Sequence, residues 1–172
     1  MKKMLLTALF VLPLAGFALA ADDKKDEAKG KALEFTHHDK GHFEKNNSGL
    51  KGDASFLIFT NRDDFDKVFG VGFTMGGKEK VVPKDAFDTK VVAAVIKRAS
   101  GITTYEVEKV TNDDGTIYVQ YKAETKDGGG TAKRSSPLIV SLDKGKYKEV
   151  VFIENGKKTE TVKFEKEKDK DK

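Results

Sequence analysis

The chain has 172 residues, 38% of them hydrophobic and 35% charged, with 32 basic and 28 acidic side chains and no cysteine. Without cysteine there are no disulfide staples and no thiol nucleophile. The two charge signs are interleaved, which excludes the one-sign stripe of a nucleic-acid binder.

Met1-Lys2-Lys3 is a basic start, and Met4 to Ala21 then runs uncharged and apolar to a small-x-small motif at Ala18-Leu19-Ala20. That order predicts a secretory signal peptide over residues 1–20, cleaved after Ala20. The run is short for a membrane span and is interrupted by Pro13 and Gly16, so no transmembrane segment is expected after cleavage. Loss of Lys2 and Lys3 would halve the formal net charge of +4. The expected location is therefore the periplasm or the extracellular space. Residues 21–32 mix acids and lysines and predict a charged, disordered linker. Residues 165–172 alternate in sign and predict a disordered tail. The folded part is expected at 33–164, long enough for one domain that buries roughly 70% of its unfolded surface.

Within it, Ser55 to Phe59 reads as a short apolar strand. Asn61 is a helix N-cap, and Asp63 and Asp64 suit the first turn, where the helix dipole favours negative charge. Phe65, Val68 and Phe69 share one face. The helix is expected over about 61–69, with Gly70 ending it in the left-handed conformation. A glycine-rich loop follows over 70–80, and Val82 to Asp88 reads as an extended or turn-like approach. Val91 to Ile96 is apolar on both alternating faces, as in a central strand covered on both sides. Thr104–Val110 and Thr116–Glu124 alternate around Asn112-Asp113-Asp114-Gly115 and predict a hairpin. Leu138 to Leu142 is another buried strand. Tyr147–Ile153 and Lys158–Phe164 flank Asn155-Gly156, the strongest hairpin turn in the chain. The predicted fold is α+β leaning all-β: a mostly antiparallel sheet or sandwich of six to seven strands with one short helix packed on it.

Several segments together carry a family resemblance. Lys40-Gly41 and Asn47-Ser48-Gly49 precede the strand Phe56–Thr60, which passes into the helix. Val82-Pro83 and Ala86 to Lys90 lead into Val91 to Val95. Ser100-Gly101 followed by Tyr105 stands where a Gly-Gly-Tyr is usual, and Ser136 to Val140 closes the pattern. Over roughly residues 40–145 the chain resembles the C-terminal domain of the protease complex subunit PrcB family. The resemblance implies a small exported domain that binds another exported protein and is not an enzyme. It implies no catalytic residues.

Read directly, the residues offer few sites. All three histidines fall in one stretch, and His37, His38, Asp39 and His42 form a candidate Zn or Cu site. Phe73 and Met75, on the glycine-rich loop, are candidate partner contacts. That loop follows a helix instead of opening one, so it lacks the context of a phosphate cradle. Asn112 to Gly115 has no following acid in register for calcium. Ser100-Gly101 and Ser135-Ser136 lack a nucleophile elbow. The expected function is an exported interaction module, an accessory subunit of an extracytoplasmic complex. The alternative is a periplasmic metal-binding protein using the histidine cluster.

Overall fold

A computed structural model describes residues 25–38, 40–72 and 81–165. The expected signal peptide, Asp39, Phe73, Met75 and residues 166–172 lie outside the described residues. The elements run β1 (Lys31–Ala32), β2 (Phe35–His37), β3 (His42–Glu44), β4 (Ala54–Phe59), α1 (Arg62–Val68), β5 (Phe69–Val71), α2 (Ala86–Thr89), β6 (Lys90–Ala99), β7 (Ile102–Asp113), β8 (Thr116–Lys126), β9 (Arg134–Asp143), β10 (Glu149–Glu154) and β11 (Lys157–Lys163). No described helix is long and apolar enough to cross a membrane.

The strands form a five-stranded sheet in the order β1-β7-β8-β10-β11, a four-stranded sheet in the order β2-β9-β6-β4, and the small pair β3-β5. Pairing is antiparallel except between β8 and β10. That parallel pair arises because β9, between them in sequence, belongs to the other sheet. The expected α+β, mostly β architecture is present, with more strands than sequence alone suggests.

Strand β6 organises the molecule. Its alternate residues enter two separate cores, as the two-residue period of a strand requires. Val91, Ala93 and Val95 join Leu138, Val140, Ile117, Val119 and Phe152 between the sheets. Val92, Ala94 and Ile96 join Phe59, Phe65, Phe69 and Phe87 on the far side. The four-stranded sheet is therefore a middle layer, with α1, α2 and β5 covering its outer face. Phe65 anchors that cover, its ring 5.0 Å from Phe69, 5.3 Å from Phe59 and 5.5 Å from Phe87. Each such ring pair contributes roughly 0.5–1.5 kcal/mol beyond area burial.

The helix α1 starts as expected. The Asn61 side chain accepts from the Asp64 amide at 2.9 Å and donates back to the Asp64 carboxylate at 2.8 Å. Its end differs from expectation. Phe69 caps it in an extended conformation, φ −107°, and the chain passes straight into β5, so Gly70 is a strand residue. Another departure is α2, where a turn-like approach was expected; four residues are too few to show a helical period.

The expected linker is also different. Residues 25–32 run along the five-stranded sheet. Asp26 exchanges hydrogen bonds with Gly156 and Lys158 across the β10–β11 turn, at 2.7 and 2.8 Å. The Ala28 amide donates to Gln120 at 3.1 Å, the Thr111 hydroxyl donates to the Lys29 carbonyl, and β1 then pairs with β7. Val151 and Ile153 are buried and line a groove with Lys25 to Lys29. The charged composition hid this because the contacts use mainly backbone groups. Two turns follow expectation: Asp114-Gly115 and Asn155-Gly156 each place both residues at positive φ, with 47° and 85° in the first, 51° and 77° in the second.

Candidate functional site

The three histidines come together, but in different settings. His37 lies in the edge strand β2 opposite Val140. His38 is 5% exposed; its amide donates to the Ile139 carbonyl at 2.9 Å, and its Nε2 lies 2.9 Å from the Ser141 hydroxyl. His42, in β3, packs edge-on against Phe65 at 5.2 Å and accepts the Val82 amide proton on Nε2 at 2.9 Å. Burial lowers its pKa, the Gly70 backbone partly opposes this, Arg62 lowers it further, and Asp66 opposes. The imidazole is thus held neutral. With Nε2 accepting, the proton of the neutral ring sits on the buried Nδ1.

All three histidines line one cleft of about 390 Å³, with Lys40, Ile102, Thr103, Thr104, Tyr105, Ser135, Ser136 and Pro137. The cleft wall is tied across the two large sheets. The Tyr105 hydroxyl donates to the Ser136 carbonyl at 2.8 Å, and the Thr103 amide donates to the Ser136 hydroxyl at 3.0 Å. Burial, and then the charge of Glu154, push the Tyr105 phenol well above its usual range, so it is a neutral donor. Among the described residues no three His, Cys, Asp or Glu side chains are arranged to hold a metal ion. His42 has its Nε2 committed to Val82, and Asp39 lies outside the described residues.

Beside the cleft is a charged cluster that sequence reading missed. Arg98 of β6 grips Glu44 of β3 with two hydrogen bonds, 2.6 Å to Oε1 and 2.9 Å to Oε2. The two side chains are 12% and 8% exposed. Ser48 and Ser135 also donate to the carboxylate, at 2.9 and 2.5 Å. Burial alone would raise the Glu44 pKa; the hydrogen bonds from Arg98, Ser135 and Ser48, with the Arg98 charge, outweigh it and hold the carboxyl below its usual value. The pair spans 54 residues of sequence, so no local spacing announces it. It clamps the β3-β5 pair onto the middle sheet. A second pair, Lys97 with Glu154, joins the two large sheets, and the Tyr121 hydroxyl donates to Glu154 at 3.1 Å.

The clamped β3-β5 pair carries exposed apolar surface. Phe43 is 47% exposed and Val71 58%. Phe43 stands opposite Gly70, and a Cβ on Gly70 would lie 2.4 Å from its Cζ. Glycine at 70 is what lets the ring rest against the strand. The glycine-rich loop bearing Phe73 and Met75 leaves this strand, and both residues lie outside the described ones. No family model matches the chain, and neither a curated protein nor a solved structure matches it.

Proposed function

We propose that this chain is an exported, non-catalytic interaction module, an accessory subunit of an extracytoplasmic protein complex such as a secreted protease complex. The observation that carries the reading is Phe43. A half-exposed aromatic ring sits on a strand pair held by a part-buried, bidentate ion pair. An aromatic side chain already ordered before binding loses little conformational entropy on docking, and such side chains dominate interface energetics. The leader-like start and the resemblance to the PrcB family support the same reading.

Affinity purification of the tagged chain from cell envelope and culture fluid tests it. The reading expects one stoichiometric exported protein with wild type and its loss with Phe43→Glu. Equal recovery with both would remove Phe43 from the interface, and no partner under chemical cross-linking would overturn the reading.

A further inference from the structure

A strand at the edge of a sheet leaves half of its backbone groups unpaired, and proteins guard such edges with charge or by keeping them short. The outer strands of the two large sheets differ in this respect. β1 is 2 residues long and β2 is 3, while β11 carries Lys157, Lys158, Glu160 and Lys163. β4 is unguarded: its 6 residues, Ala54 to Phe59, hold no charge and no proline and keep one continuous register against β6. Which of its groups face outward follows from one contact. The Arg98 amide donates to the Asp53 carbonyl at 2.8 Å, so Asp53 and, by the alternation of an antiparallel ladder, Ser55, Leu57 and Phe59 turn their backbone groups to β6. Ala54, Phe56 and Ile58 turn theirs to the free side, where no described strand pairs with them. Phe56, Leu57 and Ile58 are only half-buried, and they line a groove of about 240 Å³ with Thr60, Asp64 and Val162.

We propose that β4 pairs antiparallel with β4 of a second copy of this chain, about a two-fold axis at Leu57, so that the two four-stranded sheets become one continuous sheet. An isologous antiparallel pair is self-complementary, and one uncharged edge serves both copies. The charges flanking the strand support this occupant and choose the register. Exposed Lys51 precedes β4 and exposed Asp63 follows it. With the axis at Leu57, Lys51 of each copy approaches Asp63 of the other, Phe56 meets Ile58, and Ala54 meets Thr60. An axis at Ile58 would set Asp53 against Asp63, and an axis at Phe56 would set Lys51 against the uncharged Asn61. The proposal does not rest on Phe43, which lies on the separate β3-β5 pair.

Sedimentation velocity of the chain lacking its leader, at low salt and from about 1 to about 300 μM, tests it, together with amide exchange at both ends of that range. A monomer–dimer equilibrium is expected, with exchange in residues 54–58 slowing as the dimer forms. Ala54→Pro removes an outward N–H and no bond to β6, so it weakens the dimer about tenfold and leaves the urea midpoint unchanged. Lys51→Glu weakens the dimer about fivefold, and Lys51→Glu combined with Asp63→Lys restores it, which a loss of folding would not do. A monomer throughout the range would overturn the proposal, as would a dimer indifferent to these substitutions. Protection of residues 54–58 that appears only when a different exported protein is added, with the chain alone monomeric, would also overturn it and give the edge to that protein.

Discussion

The tip of the Phe43 ring rests on Gly70, its partner across the β3-β5 pair, so closely that a Cβ there would stand 2.4 Å from Cζ and 2.9 Å from each Cε. Gly70→Ala therefore displaces the ring. Because the obstructing atoms are the far end of one side chain, the ring can swing out, and the cost to stability is about 1 kcal/mol. Phe43→Leu in the same chain removes the clash. A double-mutant cycle read from urea midpoints gives a clear coupling between the two positions; additive effects would mean that the ring does not rest there.

Arg98→Met leaves the Glu44 carboxylate buried with only serine donors. Removing one partner of a buried pair typically costs about 3 kcal/mol, and Glu44→Leu alongside it recovers most of the loss. Urea unfolding at neutral pH measures both. The same contact predicts an acid dependence. A carboxyl held below its usual value in the fold contributes its full stability above about pH 4.3 and loses it as pH falls through the folded value.

His42 titrates in a different window. Its pKa is lowered in the fold, chiefly by burial, so below about pH 6.5 the unfolded chain takes up a proton that the folded imidazole does not. Stability therefore falls as pH drops from 7 and levels off below the folded value. His42→Gln keeps an acceptor for the Val82 amide and removes the titration. Urea midpoints at pH 7 and pH 5 converge more in this variant than in wild type, with His37 and His38 common to both. Parallel losses in the two proteins would contradict the assignment.

Two glycines give opposite outcomes. A Cβ on Gly101 would lie 1.8 Å from the Lys126 carbonyl oxygen and 2.6 Å from its carbon, backbone atoms held in β8. Gly101→Ala costs roughly 3 kcal/mol, since neither strand end can retreat without breaking the β7-β8 ladder. Gly130 has nothing within 4 Å and no positive φ, so Gly130→Ala is neutral or stabilises by about 0.5 kcal/mol through the unfolded chain. Thermal melts of the two variants separate them.

The long elements were legible because they carry a period. Val91 to Ile96 announced its two buried faces, and both cores formed on it. Asn155-Gly156 announced its turn through backbone chemistry, and Asn61 its cap. The candidate site was much less legible. β1, β2, β3 and β5 are two or three residues long, and no alternation can be read over so few positions. Their places are set by partners far away in sequence: Glu44 by Arg98, Gly70 by Phe43, Ala28 by Gln120. The histidine cluster was visible as composition. That His42 spends its Nε2 on the Val82 amide, forty residues on, was not.

Hydrogen exchange on the captured complex tests the central claim most directly. The account predicts that the partner slows exchange in residues 42–44 and 69–71, and that the protection disappears with Phe43→Glu while the exchange of β6 and β9 is unchanged. Protection confined to other strands, with β3 and β5 exchanging as in the free protein, would contradict it.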